Sequence, residues 1–296
     1  MISVCIPVYN RAIAPLVNDL LQEINDFHLP VEIIVIDDCS AKELQLENQK
    51  ACKNIHYIEL EYNVGRAKIR NIFLNYAKYD HLLYLDCDSM IISPRFLQVY
   101  LEAISETTQV IVGASIYQSE QPNRSEMLRW KYSSLRESKS IQERKKASFN
   151  SFKTNNFLVH RTILERFPFN ETIVGYGHED TLFGYELFQN GIHIDQIENP
   201  VLNKYLDSNA VFLEKTIVGL KNLIHVEQLV HHDAAFITNI KLLRVYTKLK
   251  KKRFIGIVYA VTWLISPILR FFLLNGIFTL WMFDMYKLHH FIKLKK

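Results

Sequence analysis

A short apolar run, Leu82–Leu85, constrains the fold of this chain more than any other segment. Such a run is typical of a strand that is buried on both faces of a sheet. It ends at Asp86, and a second carboxylate follows at Asp88. If the two-residue period of the strand continues, both carboxylates leave the same face at its carboxyl end. Two adjacent oxygen donors suit a hard divalent cation that can hold a pyrophosphate, although a simple strand-end turn has the same spacing.

Up to about residue 105 the sequence alternates β-rich runs with helical stretches. We predict strands over Ile2–Val8, Val31–Asp37, Ile55–Leu60 and His81–Asp86, and helices over Ala12–Phe27, Ala41–Ala51, Gly65–Ala77 and Ser93–Ile104. This alternation predicts an α/β fold with βαβ units and a mainly parallel sheet. Ligands bind such sheets at the carboxyl ends of the strands. Polar clusters occur at three of those ends, at Tyr9-Asn10, Asp37-Asp38 and Asp86–Asp88.

The middle of the chain contains further strands and a basic segment. We predict strands over Gln109–Ser115 and Asn155–His160, and residues 120–150 between them are polar and basic. That segment is either a solvated helix or loop, or a mobile flap over an anionic ligand. The glycine-rich turn Gly175–Asp180 then leads into a helix that we expect to end near Gly191.

Composition favours a reducing compartment. The four cysteines, at positions 5, 39, 52 and 87, have no metal-type spacing, so we expect reduced thiols. No signal peptide precedes the first predicted strand, so we expect the catalytic part to be cytoplasmic. The net charge of +4 is modest, and we expect no nucleic-acid partner.

The segment from Phe254 to Phe283 is almost entirely apolar, with interruptions at Pro267, Arg270 and Asn275-Gly276. Basic residues flank it on both sides, most densely at 241–253. The stretch before Arg270 is shorter than the ~20 residues that a spanning helix needs. We therefore favour two short helices in the inner leaflet, with lysines on anionic headgroups. The alternatives are one tilted spanning helix and a buried soluble helical pair.

Other charged residues add to the candidate site, although each has a structural alternative. A carboxylate at Asp38 can accept from a ribose hydroxyl or a pyrimidine N–H. Arg66 and Arg70 suit a phosphate or a base, or they form an ordinary basic helix face. Glu179 and Asp180 open a predicted helix, where they either complement its dipole or supply a general base.

Five segments resemble, in their order and separations, the motifs of glycosyltransferase family 2. They are Ile6–Asn10, Val35–Ser40, Asn63–Asn71, Asp86–Asp88 and Gly175–Asp180. The resemblance covers roughly residues 1–220 and implies the GT-A fold of inverting nucleotide-sugar transferases. The last segment, Gly-Tyr-Gly-His-Glu-Asp, also resembles the acceptor motif of galactosyl- and N-acetylgalactosaminyltransferases.

The resemblance implies a role for each matching position. On the donor side, Pro7, Val8 and Tyr9 would line the nucleotide pocket, Asp38 would contact the uridine, and Arg66 or Arg70 would hold the base or diphosphate. Asp86 would contact the ribose or a metal, and Asp88 would bind that metal, which we expect to be Mn²⁺ or Mg²⁺. On the acceptor side, Asp180 would deprotonate the acceptor hydroxyl and Glu179 would orient the acceptor.

The chain departs from the family pattern at two positions. The usual Asp-Gly-Ser after the second strand is Asp38-Cys39-Ser40 here, so the turn lacks its glycine. The metal-binding histidine after the acceptor helix is replaced by Asn203. His231 or His232 is either a substitute ligand or a surface feature. The third metal ligand is therefore unassigned.

These features predict a metal-dependent inverting glycosyltransferase. We expect it to move Gal, GalNAc, Glc or GlcNAc from a UDP-sugar to a hydroxyl of a growing polysaccharide or polyprenyl-linked oligosaccharide, at the cytoplasmic face of a bacterial inner membrane. The expected organisation is a nucleotide-sugar half over 1–105, an acceptor half over 106–225, a basic linker over 226–253 and a membrane-associated tail over 254–296. The alternatives are a non-catalytic glycan- or nucleotide-binding membrane protein and, less favoured, a nucleotidyltransferase. The latter would carry a glycine-rich phosphate loop where this chain has Pro7–Arg11.

Overall fold

A computed structural model of the protein describes residues 1–147 and 149–296. The chain divides into two compact units. Unit 1 consists of Met1–Gln118, Ser138–Val174 and Glu179–Tyr205. Unit 2 consists of Ser119–Glu137, Gly175–His178 and Leu206–Lys296.

Unit 1 is built on a seven-stranded, mostly parallel sheet. Its strands are β1 (Ile2–Val8), β2 (Val31–Asp37), β3 (His56–Glu59), β4 (His81–Leu85), β6 (Val110–Val112), β8 (Asn156–His160) and β9 (Ile194–Gln196). They lie in the order β3-β2-β1-β4-β8-β6-β9. Only β8 runs antiparallel to its neighbours among the described strands of this sheet. A second sheet contains β5 (Ser89–Ile91), β7 (Ser115–Tyr117) and β10 (Val201–Asn203), with β10 in the middle.

The helices of unit 1 cover both faces of the large sheet. They are α1 (Ala14–Phe27), α2 (Lys42–Ala51), α3 (Arg66–Ile72), α4 (Phe96–Ala103), α6 (Ile141–Lys146), α7 (Arg161–Arg166) and α8 (Glu179–Gln189). Side chains of β1 alternate between two apolar clusters, with Val4 in one and Cys5 in the other. The first cluster includes residues of α1, and the second includes residues of α3 and α8. This arrangement explains why the central strands are apolar on both faces.

Unit 2 is helical. It contains α5 (Met127–Tyr132), a π-helical turn (Ser133–Glu137), α9 (Asn209–Leu229), α10 (Ala234–Asn239), α11 (Lys241–Lys251), α12 (Ile255–Leu274) and α13 (Leu280–Leu294). Its core joins residues of α5, α9, α12 and α13. Among the described helices, α12 is long and apolar enough to cross a membrane. It continues through Pro267 and Arg270 as one helix, so the expected interruption falls later, at residues 275–279.

The strand predicted over Gln109–Ser115 is wrong in one respect, because the chain changes sheets within it. β6 ends at Val112 and β7 begins at Ser115 in the second sheet. Between them, Gly113 donates its N–H to the Asn156 carbonyl and Ala114 has a φ of 91°. The left-handed backbone at an alanine redirects the chain, which residue type alone does not indicate.

Gly113 lies in a tightly packed polar cluster. A Cβ placed there would lie 2.2 Å from the Tyr100 hydroxyl and 2.8 Å from the Asn199 carbonyl oxygen. We therefore expect Gly113→Ala to lower the free energy of unfolding by ~1–3 kcal/mol through overpacking. Thermal melting checks this, with Gly256→Ala as the control, because a Cβ at Gly256 meets no atom within 4 Å. Equal melting temperatures for the two variants would contradict the prediction.

The basic segment over residues 120–150 is neither wholly solvated nor an unanchored flap. In unit 2, Arg129 pairs with Glu137 at 3.1 Å and Arg136 pairs with Asp284 at 3.2 Å. In unit 1, Arg144 is buried and donates to the Gln196 side chain at 2.8 Å and to two backbone carbonyls. Ser148 lies outside the described residues.

Candidate active site

Asp86 and Asp88 lie in the turn that joins β4 to β5, so the strand does not continue through them as expected. The backbone N–H of Ser89 donates to the Asp86 carbonyl at 3.0 Å, which closes the turn. The two carboxylates still act on each other. Burial raises the pKa of Asp88, and the charge of Asp86 raises it further, while Arg11 and Arg66 oppose the rise.

Four charged side chains form a cluster beside this turn, which we call the ion cluster: Arg66, Arg70, Asp86 and Glu179. Arg70 Nη2 lies 3.1 Å from Asp86 Oδ1, and Arg66 Nη2 lies 3.7 Å from Asp86 Oδ2. Arg66 Nε donates to Glu179 Oε1 at 2.9 Å, and Arg70 Nη1 lies 3.8 Å from the same oxygen. Two cations and two anions therefore share one site at the start of α3 and α8.

Two members of the ion cluster, Arg70 and Glu179, are buried, whereas Arg66 and Asp86 are partly exposed. Arg70 is 1% exposed and Glu179 is 5% exposed. Arg70 also donates to the Arg66 carbonyl at 2.8 Å, and its own carbonyl accepts from the Tyr84 hydroxyl. Glu179 Oε2 is buried without a hydrogen-bond partner among the described residues. These contacts place Glu179 against the arginines rather than on an open acceptor surface.

Asp38 anchors the loop that precedes α3. Its Oδ1 accepts from the Val64 N–H at 2.6 Å and its Oδ2 from the Gly65 N–H at 3.0 Å. Burial raises the pKa of Asp38, and these two donors oppose the rise. The Asp38 N–H in turn donates to the Val8 carbonyl at 2.7 Å, which ties the ends of β1 and β2 together.

The turn after Asp38 keeps the backbone shape that its missing glycine would favour. Cys39 has a φ of 62°, in the left-handed region. The Ser40 N–H donates to Asp37 Oδ1 at 2.6 Å, and the Ser40 hydroxyl accepts from the Asn10 N–H at 2.8 Å. Cys39 therefore adopts, without glycine, the left-handed backbone that a glycine would adopt more easily.

The end of β1 adds two residues that sequence reasoning missed. Val8 is buried in the core, whereas Tyr9 is exposed. Arg11 stacks over the Tyr205 ring at 4.5 Å from its centroid, and its charge also acts on Asp88. In the sequence, Arg11 is marked only by its position directly after the first motif. Tyr205 is distant from Arg11 along the chain, so no local pattern connects the two.

Asp180 lies in the first turn of α8. Its Oδ1 accepts from the Thr181 N–H at 2.7 Å, and its Oδ2 accepts from Lys153 Nζ at 3.0 Å. Lys153 is a third residue that sequence reasoning missed. It precedes β8, lies outside every motif and is separated from Asp180 by 27 positions.

The residues before Glu179 belong to unit 2. Gly175, Gly177 and His178 all have positive φ angles, of 81°, 92° and 72°. Asn222 of α9 donates to the carbonyls of Tyr176 and Gly177 at 3.2 and 3.1 Å. The sharp turn expected from the glycines is therefore present, and a side chain of α9 holds it.

Within the described residues, no third metal ligand is assigned beside Asp86 and Asp88. Asn203 pairs with Ser89 in the second sheet, one position along from Asp88. His232 Nδ1 lies 3.2 Å from Glu227 within unit 2. Across residues 1–147 and 149–296, no group of three or more His, Cys, Asp or Glu side chains is arranged to hold a metal.

Comparison with known proteins assigns the chain to a family. The family model described as Glycosyl transferase family 2 matches residues 3–172, which is more than half of the chain. The chain therefore belongs to glycosyl transferase family 2. The family-level part of the sequence resemblance is confirmed.

The relatives include bacterial polysaccharide enzymes. The chain is 25% identical over 239 residues to a chondroitin synthase from Escherichia coli, a match that covers 67% of this chain and 33% of the synthase. It is 30% identical over 112 residues to an uncharacterized glycosyltransferase from Haemophilus influenzae, covering 37% and 36% of the two chains. The chain thus spans about a third of the length of these relatives.

A solved structure supports the fold. A mannosyltransferase from Pyrobaculum calidifontis, in complex with GDP-Man and Mn²⁺, matches with a TM-score of 0.64 and 15% identity. The match covers 99% of this chain and 84% of that one. The predicted α/β GT-A fold, with a mostly parallel sheet and flanking helices, is confirmed.

Proposed function

We propose that the protein is a metal-dependent inverting glycosyltransferase that transfers a sugar from a UDP-sugar to a hydroxyl group. The observation that carries the proposal is the ion cluster beside the Asp86–Asp88 turn. It brings two arginines, which in this proposal bind the diphosphate, close to Asp86 and to Glu179 at the start of α8. Family membership and the polysaccharide-synthesising relative support the same reaction class.

On the donor side, the arginines supply the charge that a diphosphate needs. Arg66 is the more exposed of the two, and its guanidinium can pair with phosphate oxygens. Arg70 is buried and holds Asp86 in place. In this proposal Pro7, Val8, Tyr9 and Asp38 surround the nucleotide, with Val8 contributing backbone and Tyr9 its exposed ring.

The carboxylates of the turn fit a divalent cation. Asp86 is engaged by the arginines, whereas Asp88 has no salt bridge to any described residue. Mg²⁺ and Mn²⁺ are usually held by one or two carboxylates together with substrate phosphates and water, so a third protein ligand is not required. Asp88, with Asp86 beside it, would hold the ion. The bound ion would neutralise charge on the departing UDP.

On the acceptor side, Asp180 is the proposed general base. It removes the proton of the acceptor hydroxyl while that oxygen attacks the anomeric carbon and the bond from that carbon to the diphosphate breaks. The attack is in line, so the anomeric configuration inverts. The Thr181 N–H and Lys153 Nζ each donate to one carboxylate oxygen of Asp180, and these two hydrogen bonds fix the orientation of that carboxylate.

Glu179 has a positioning role in this proposal. It touches Arg66 and Arg70, so it orients the groups that bind the diphosphate and acts on the acceptor only through its neighbour Asp180. The Gly175–Asp180 segment supports Gal or GalNAc as the transferred sugar, with Glc and GlcNAc as the other candidates.

Removal of the metal ligand should weaken nucleotide binding. We expect Asp88→Ala to lower the affinity for UDP in the presence of Mn²⁺ about 10- to 100-fold, as for loss of a metal-site group. Isothermal titration calorimetry measures this, and EDTA should lower wild-type affinity to the level of the variant. Asp207→Ala is the control, because that carboxylate pairs with Lys215 in unit 2. An Asp88→Ala protein with undiminished Mn²⁺-dependent binding would contradict the metal assignment.

A panel of UDP-sugars tests the proposed activity. The full-length protein is incubated with each sugar and Mn²⁺, and slow UDP release by hydrolysis is followed. Release from one or two sugars supports the proposal and names the donor. UDP binding without release from any sugar would instead support the non-catalytic binding protein.

The cellular setting is also part of the proposal. The acceptor would be a glycan or polyprenyl-linked oligosaccharide at the cytoplasmic face of the inner membrane, with 254–296 as the membrane-associated tail. The apolar length of α12 and the polysaccharide-synthesising relative support this. The expected halves over 1–105 and 106–225 and the linker over 226–253 remain predictions.

A further inference from the structure

One side of α12 carries a continuous exposed apolar stripe. It consists of Ile257, Val261, Leu264, Ile268 and Phe271, which are 52 to 71% exposed. Their spacing of four, three, four and three residues places them on one line along the helix. Large apolar side chains in a row on the surface of a protein mark an interaction surface.

The opposite side of α12 is held within unit 2. Thr262, Leu269 and Leu273 are buried there, and α12 packs along α13. The Thr262 hydroxyl lies 3.2 Å from His289 Nδ1 of α13. α13 is in turn fixed by an ion pair between Asp284 and Lys241, at 2.9 Å. α12 therefore presents its stripe outward while its other face belongs to the folded unit.

The residues just before α12 are positively charged, and this charge indicates which kind of partner binds the stripe. Lys248, Lys250, Lys251, Lys252 and Arg253 are all exposed within the last turn of α11 and the following turn. Basic residues beside an apolar helix face complement anionic lipid headgroups, which attract each Lys or Arg near the surface. An anionic bilayer supplies the opposite charge to these cations, whereas a second copy of this chain paired in parallel would bring the same cations together.

We propose that the stripe lies flat in the headgroup–acyl boundary of an anionic bilayer, with the α12 axis parallel to the membrane plane. This inference rests on the membrane association in the proposed function. It adds which face of α12 contacts the lipid and how the helix axis lies relative to the membrane plane. A spanning α12 would have to carry the ion-paired α13 into the hydrocarbon or separate from it. Arg270 is compatible with the flat orientation, because it lies roughly 120° around the helix from Leu264.

Vesicle flotation tests the surface without any nucleotide sugar. We expect the full-length protein to float with phosphatidylcholine vesicles that contain phosphatidylglycerol, and at least about tenfold less with Leu264→Asp or with a Lys250→Glu, Lys251→Glu variant. Leu46→Asp, which changes an exposed leucine of unit 1, should float like wild type. Equal flotation of Leu264→Asp and wild type would overturn the proposal. Sedimentation showing a dimer that Leu264→Asp dissociates would assign the stripe to a second copy instead.

The depth of Trp263 tests the orientation. α12 is about 30 Å long, so in a spanning helix Trp263, near its middle, would lie near the bilayer centre. Trp263 lies only about 20° around the helix from Arg270, so it faces away from the stripe. In a protein with Trp130→Phe and Trp281→Phe, the flat orientation therefore predicts weak quenching, confined to lipids brominated near the interface. Strongest quenching at the bilayer centre would overturn the flat orientation. UDP release is measured without vesicles, so failure of the membrane proposal is distinguishable from failure of the transferase proposal.

Discussion

Asp180→Asn is expected to slow sugar transfer by about 10²–10⁴-fold, the usual contribution of a general base. The asparagine keeps the shape of the side chain and can still accept from the Thr181 N–H. It cannot take the proton of the acceptor hydroxyl. Affinity for UDP should be nearly unchanged, because the ion cluster and Asp88 are intact. Steady-state transfer kinetics and UDP calorimetry measure the two effects separately.

The matched control is Asp195→Asn, which changes a half-exposed carboxylate of β9 that pairs with His193. It should leave both transfer and UDP binding at the wild-type level. Near-normal turnover of Asp180→Asn would remove Asp180 from the mechanism. Loss of UDP binding in the same variant would show that Asp180 supports the fold of the donor site rather than the chemistry.

Arg70→Met should have the largest effect on stability. Methionine preserves most of the volume but leaves Asp86 and Glu179 without their buried partner. Removal of one member of a buried ion pair costs about 3–5 kcal/mol. We expect that loss in the free energy of unfolding, measured by urea denaturation.

Arg95→Met provides the comparison for this variant. Arg95 pairs with Glu102 at 2.6 Å, but both side chains are more than half exposed. Removal of such a surface pair costs ~0–1 kcal/mol. Similar losses for the two arginines would contradict the buried position of Arg70 in the ion cluster. Adding Glu179→Gln to Arg70→Met should recover part of the loss, since it removes a buried charge that is then left with Arg66 as its cationic partner.

The parts of the fold that could be predicted from the sequence are those set by local pattern. The apolar runs of β1, β2 and β4 indicated a sheet covered on both faces, and the Asp86–Asp88 pair indicated a polar strand end. The left-handed turn at Cys39 is an exception, since the sequence has no glycine there to indicate it.

The contacts that complete the site could not be predicted in this way, because they join distant positions. Arg66 and Glu179 are 113 residues apart, and they meet because α3 and α8 both contribute to one apolar cluster on the same face of the sheet. Lys153 reaches Asp180 because the antiparallel β8 follows it. Likewise, the break between β6 and β7 depends on the close approach of Tyr100 to Gly113, which no local pattern shows.

The most direct test of the account is a crystal structure of the protein with UDP and Mn²⁺, with anomalous diffraction used to locate the manganese. The account predicts an anomalous peak in contact with Asp88 and the UDP phosphates, with Arg66 on the diphosphate and the ion cluster unchanged. UDP bound at this sheet edge with manganese remote from Asp88, or UDP bound away from the Asp86–Asp88 turn, would contradict it.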